Sequence, residues 1–71
     1  MSKEVMEFVV YMIHACAKKW KQTPAIVFHR LSKADCISNY LVPNYEVLHT
    51  QGTEFVVGDI EEFIGEKREV L

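Results

Sequence analysis

Apolar residues recur every three or four positions along the first twenty residues, and this spacing constrains the fold more than any other feature. The positions are Val5, Phe8, Val9, Met12, Ile13, Cys16 and Trp20. Such a stripe is typical of an amphipathic helix with one packed face. Ser2 is suited to cap its first turn. We therefore predict a long helix from Ser2 or Lys3 to about Lys21.

The dipeptide Thr23-Pro24 predicts the start of a second helix. Threonine accepts backbone N–H donors as an N-cap, and proline at the first helical position loses no hydrogen bond. We expect this helix to end at about Ser32 and to pack through Val27 and Leu31.

A third helical segment is predicted from Cys36 to about His49, with Asp35 as a possible N-cap. Pro43 falls inside it, lacks a backbone donor and disfavours helix at the residue before it. We therefore expect two short helices, with Pro43 at the start of the second.

The last predicted helix runs from Glu54 to about Lys67, with Thr53 as its N-cap after a turn at Gly52. Gly58 inside it costs up to about 1 kcal/mol relative to alanine. That cost suggests that a bulky neighbour approaches Gly58 closely. Residues 68–71 should fray.

Together these segments predict one all-α domain over residues 1–71, a compact bundle of four to five short helices around a long N-terminal helix. The residues expected in its core are Phe8, Met12, Cys16, Trp20, Val27, Leu31, Leu48, Ile60 and Phe63. A domain this small buries only about 60% of its unfolded surface, so a disulfide, a metal or a partner chain often adds stability.

Composition narrows the function. Two cysteines are too few for a disulfide scaffold, which indicates a reducing compartment. The net charge of −2 provides no basic field to attract phosphate backbones. The longest apolar run, 8–13, is too short to span a membrane, and we find no signal peptide. We expect a cytoplasmic protein that does not enter the membrane.

No residue pattern predicts catalysis, a cofactor or a metal. The possible metal ligands are His14, Cys16, His29, Cys36 and His49. Zinc sites usually use close pairs that share a turn or a helix face, but His14 and Cys16 point about 200° apart on a helix. Glu61 and Glu62 should lie on a solvated helix face, and no nucleophile elbow or phosphate-binding loop is present. We expect no enzymatic activity.

A small DNA-binding regulator is the alternative function. Lys18, Lys19 and Lys21 flank Trp20, and the turn at 32–35 lies between two predicted helices as in a helix-turn-helix. The second of these helices would begin without an arginine or lysine in residues 36–40, which counts against DNA recognition. The lysines also suit the C-terminal end of a helix dipole.

Tyr45 and His49 stand four residues apart and should stack on one helix face. Two interpretations remain open. They form a small recognition surface, or they complete a helix end at which His49 hydrogen-bonds a carbonyl and Tyr45 packs beneath it.

The run at residues 45–52, YEVLHTQG, followed by Val57, Asp59 and Ile60, resembles the bacterial domain-of-unknown-function family 3791. The opening at 7–13 and the helix start at Thr23-Pro24 also fit, so the resemblance covers about residues 3–64. Gly58 departs from the family pattern, where an acidic residue is more common.

The resemblance implies a small bacterial protein without an assigned activity, so no catalytic residues are carried over. Members of the family are often encoded beside another family, number 3990, which looks like an ADP-ribosyltransferase-type toxin. This neighbourhood implies an antitoxin or accessory role.

The first helix is apolar nearly all round, because it also carries Met6, Val10, Tyr11 and Ala17. Either the short helices wrap it completely, or a second chain covers it. We favour a two-fold dimer through Met6, Val10 and Tyr11. The leading function is thus a protein–protein interaction module. Its candidate partner-binding residues are Met6, Val10, Tyr11, Tyr45 and His49.

Overall fold

Four α-helices and one π-helical turn form the fold, and the computed structural model describes residues 1–65. The segments are α1 Lys3–Trp20, α2 Pro24–Lys33, the π-helical turn Ile37–Leu41, α3 Tyr45–Leu48 and α4 Thr53–Ile64. Residues 1–65 contain no strand. The predicted all-α fold with a long N-terminal helix is confirmed. The fraying predicted for 68–71 lies outside the described residues.

Helix α1 has the predicted N-cap but ends one residue early. The Ser2 hydroxyl accepts the Val5 N–H at 3.2 Å. At the other end Lys21 takes the left-handed conformation with φ 58°, and the Gln22 N–H donates to the Ala17 carbonyl at 3.0 Å. A left-handed residue cannot continue the helix, so Lys21 terminates it.

Helix α2 begins as predicted. The Thr23 hydroxyl accepts the Ile26 N–H at 3.2 Å, and Pro24 occupies the first turn. The helix ends at Lys33, one residue beyond the predicted end.

The segment after α2 differs from the prediction. Asp35 takes the left-handed conformation with φ 57° and does not cap a helix through its side chain. The chain then winds more widely, because the Val42 N–H donates to the Ile37 carbonyl five residues back. Two short helical segments do form. Pro43, however, lies in the turn between them, and α3 starts only at Tyr45.

Helix α4 is capped by Gly52, so the prediction of Thr53 as N-cap is wrong. The reason is tertiary, since the Thr53 and Tyr11 hydroxyls form a hydrogen bond of 2.7 Å. The helix ends at Ile64, three residues before the predicted end, because Gly65 takes a left-handed conformation with φ 74°.

The close neighbour predicted for Gly58 is absent. Apart from its two chain neighbours and the backbone of its own helix, a Cβ atom added at Gly58 would meet no atom of the described residues within 4 Å. Among the described residues, therefore, no packing contact requires a glycine at this position.

Helix α1 packs against both α2 and α4. The predicted core residues that are buried are Met12, Cys16, Val27, Leu31, Leu48 and Ile60. Phe8 and Trp20 are half-buried. The prediction for Phe63 is wrong. It is 41% exposed and stacks on Tyr40 at the surface, with ring centroids 5.3 Å apart.

Candidate functional site

Three apolar side chains on α1 remain exposed. Met6 is 53% exposed, Val10 47% and Tyr11 55%. The short helices therefore do not wrap α1 completely, and these positions are open to another molecule.

The three side chains do not form one patch. Successive residues of an α-helix are about 100° apart, so Met6 and Val10 lie about 40° from each other, whereas Tyr11 lies about 100° from Val10. The exposed side chains of Glu7 and His14 stand in the intervening sector. We call Met6 and Val10 the α1 patch, and Tyr11 belongs to a different surface.

Tyr11 belongs to a groove between α1 and α4, which we call the α1–α4 groove. Its volume is about 830 Å³. The residues that line it are Tyr11, His14, Ala15, Lys18 and Lys19 from α1, and Thr53, Glu54 and Val57 from α4. The hydrogen bond between the Tyr11 and Thr53 hydroxyls joins the two helices at one end.

Glu61 joins α1 and α4 further along. Its carboxylate accepts the Trp20 indole N–H at 2.7 Å and lies 3.2 Å from the Lys19 ammonium. Arg30 lies over the Trp20 ring, 5.2 Å from its centroid. The prediction that Glu61 is solvated is wrong, because its side chain is only 17% exposed. A half-buried indole N–H needs an acceptor, and Glu61 provides it.

Tyr45 and His49 stack as predicted, with ring centroids 4.4 Å apart and planes 14° from parallel. The His49 Nδ1 atom lies 2.8 Å from the Tyr45 carbonyl, which can only accept, so Nδ1 carries a proton. The Tyr45 ring meets Phe8 edge-on at 5.4 Å. These contacts match the helix-end interpretation. The His49 ring is exposed, and its role in recognition stays a prediction.

Tyr40 and Asp59 form a polar contact that sequence patterns did not indicate. The Tyr40 hydroxyl donates to the Asp59 carboxylate at 2.6 Å. Burial and the bonded carboxylate hold the pKa of Tyr40 above its usual value. Tyr40 comes from the π-helical turn, and no local signal in the sequence specified that winding.

Both cysteines are free and fully buried. Burial raises the pKa of Cys16 to about 12 and that of Cys36 to about 11. Since the thiolate is the reactive form, neither is activated for nucleophilic chemistry.

Residues 1–65 hold no group of three or more His, Cys, Asp or Glu side chains placed to share a metal ion. Within the same residues, no helix combines the length and apolarity needed to cross a bilayer.

Comparison with known proteins gives a family but no function. A family profile described as "Protein of unknown function (DUF3791)" matches residues 7–67. No curated protein and no solved structure matches the chain. The profile spans most of the 71 residues and agrees with the resemblance seen at residues 45–52. The chain therefore belongs to the DUF3791 family.

Proposed function

We propose that this protein is an interaction module that binds another protein chain through the α1 patch, and that it pairs there with a second copy of itself. The observation that carries the proposal is the exposure of Met6 and Val10, about half of each side chain, on the longest helix of the fold. Burying the remaining apolar area of such side chains contributes roughly 1 kcal/mol each.

The surroundings of the patch suit an interface. Protein interfaces commonly have an apolar centre and a polar rim. Around Met6 and Val10 the helix exposes Lys3 and Glu7. A two-fold axis through the patch would bring the same residues of both copies together, which is the commonest symmetry of homodimers.

The proposal assigns no catalytic role to the chain, and the buried, unactivated thiols support that assignment. Free cysteines also suit a reducing compartment, which supports a cytoplasmic location for the proposed module.

The finer form of the proposal identifies the second partner by the position of its gene next to the gene of this protein. We propose that the α1 patch receives a co-encoded toxin-like protein, and that the homodimer is the resting form. The resemblance to a family often encoded beside such proteins supports this form.

Sedimentation equilibrium at micromolar concentration tests the dimer. We expect wild type to sediment as a dimer and Val10→Glu as a folded monomer, because each copy would bring a carboxylate into an apolar contact. The matched control is Val47→Glu, which makes the same change at a side chain that is 61% exposed on α3. A monomeric wild type, or an equal effect of both variants, would remove the dimer.

Co-expression with the product of the neighbouring reading frame tests the second partner. Wild type and Val47→Glu should co-purify with it at equal yield, and Val10→Glu should lose it. Retention by Val10→Glu would mean that the partner uses another surface.

A further inference from the structure

We propose that the α1–α4 groove is a second binding site, separate from the α1 patch, and that it holds an acidic amphipathic helix of a partner protein.

The groove is short, and a side-chain contact between α1 and α4 lies at each of its two ends. The Tyr11–Thr53 and Lys19–Glu61 contacts both join residues 42 apart in sequence, so α1 and α4 run parallel. Residues eight apart on a helix are about 12 Å apart along its axis. The space between the two contacts therefore matches about two turns of a bound helix.

Most of the exposed surface that lines the groove is apolar, although His14, Lys18 and Glu54 also line it. Ala15 comes from α1 and Val57 from α4, and neither side chain is long. Small residues let a second helix approach closely, and an apolar lining suits the apolar stripe of an amphipathic helix.

The two ends of the groove carry side chains of opposite charge. Lys18 stands on the α1 side near the Lys19–Glu61 contact, and its ammonium forms no hydrogen bond or ion pair with any residue in 1–65. Glu54 stands on the α4 side, near the Tyr11–Thr53 contact. By the same parallel alignment it lies about 9 Å along the axis from the level of Lys18. A partner carboxylate is thus favoured at the Lys18 end.

The shape of the site favours a helix over the alternatives. A small ligand is usually buried over most of its surface, whereas this groove is only partly enclosed. An extended peptide would find no strand edge to pair with among the described residues. A helix satisfies its own backbone and needs only one covered face.

The test uses a synthetic helical peptide with leucines at positions i and i+4 flanked by glutamates, titrated into ¹⁵N-labelled protein. The amide resonances of Ala15 and Val57 should shift, while that of Val47 should not. Lys18→Glu should weaken binding about tenfold, which corresponds to about 1.4 kcal/mol. Lys33→Glu makes the same change at an exposed position of α2, outside both the groove and the α1 patch, and should leave the affinity unchanged.

A second peptide with lysines in place of the glutamates tests the charge argument and should bind at least about tenfold more weakly. Equal binding of the two peptides, an equal loss in Lys18→Glu and Lys33→Glu, or shifts confined to the α1 patch would overturn the proposal. Val10→Glu should bind the acidic peptide as wild type does. The groove and the dimer can thus fail independently.

Discussion

Gly58→Ala should stabilise the protein. Gly58 lies inside α4, and an added Cβ meets no described atom within 4 Å apart from its chain neighbours and the backbone of α4. Its φ is not in the left-handed region. The alanine then adds helix propensity without a clash, which gives about 0.5–1 kcal/mol. A 71-residue domain has a total stability of about 4–10 kcal/mol, so this gain is measurable.

The other two glycines of the chain provide matched controls, because the same substitution should have the opposite sign at each. Gly52 is the N-cap of α4, where alanine is the poorer residue, and Gly52→Ala should cost about 0.5–1 kcal/mol. Gly65 has φ 74°, so Gly65→Ala should cost about 1 kcal/mol through backbone strain. Neither added Cβ would meet another described atom within 4 Å. Backbone position alone then decides the sign.

Urea denaturation followed by far-UV circular dichroism measures all four proteins at one concentration, since dimer formation would make stability concentration-dependent. The midpoints should rise for Gly58→Ala and fall for the other two, with unchanged slopes. In a thermal scan each kcal/mol corresponds to about 4–8 °C at this size. A destabilised Gly58→Ala would refute the reasoning, because it would mean that the space beside Gly58 is occupied.

Three further predictions concern the C-terminal end of α1, the buried thiols and the binding of nucleic acid. Lys21→Gly should stabilise the fold by about 0.5–1 kcal/mol in the same denaturation assay, because glycine adopts φ 58° without strain. Cys16 and Cys36 should resist thiol-reactive dyes in the native protein and react only on unfolding. Folding raises the pKa of Cys16 from 9.0 to about 12 and that of Cys36 from 9.0 to about 11. The stability that these two thiols contribute is therefore fully present below pH 9, and the free energy of unfolding should fall as the pH rises above 9. Dye labelling at rates independent of denaturant, or a flat alkaline limb of stability, would contradict this. Random duplex DNA should show no mobility shift at physiological salt, and a salt-sensitive shift lost on replacing the lysines of 18–21 by alanine would favour the DNA-binding alternative.

The sequence predicts helix boundaries where the signals are local. Ser2 and Thr23 cap α1 and α2 through hydrogen bonds to N–H groups three residues on, and such contacts depend only on neighbouring residues. The prediction fails where a distant residue competes. The Thr53 hydroxyl is held by Tyr11, 42 residues earlier, and Gly52 becomes the cap instead.

The candidate site follows the same rule, because the features that depend on α1 alone are predictable and those that depend on its packing against α4 are not. Helical periodicity correctly predicts that Met6 and Val10 lie outside the core. The description of α1 as apolar all round, however, wrongly groups Tyr11 with them on one surface. Only the packing of α4 reveals that Tyr11 lines a groove. The burial of Glu61 against Trp20 likewise depends on how α1 and α4 align, which no local pattern specifies.

Cross-linking at Val10 tests the central claim, that the α1 patch binds a second copy of the chain. Both native cysteines are fully buried, so Val10→Cys introduces an exposed thiol at the proposed interface and Val47→Cys introduces one away from it. With a short bismaleimide at micromolar protein, Val10→Cys should convert to a covalent dimer and Val47→Cys should remain monomeric on a denaturing gel. Equal cross-linking of the two variants, or none at Val10→Cys, would contradict the account.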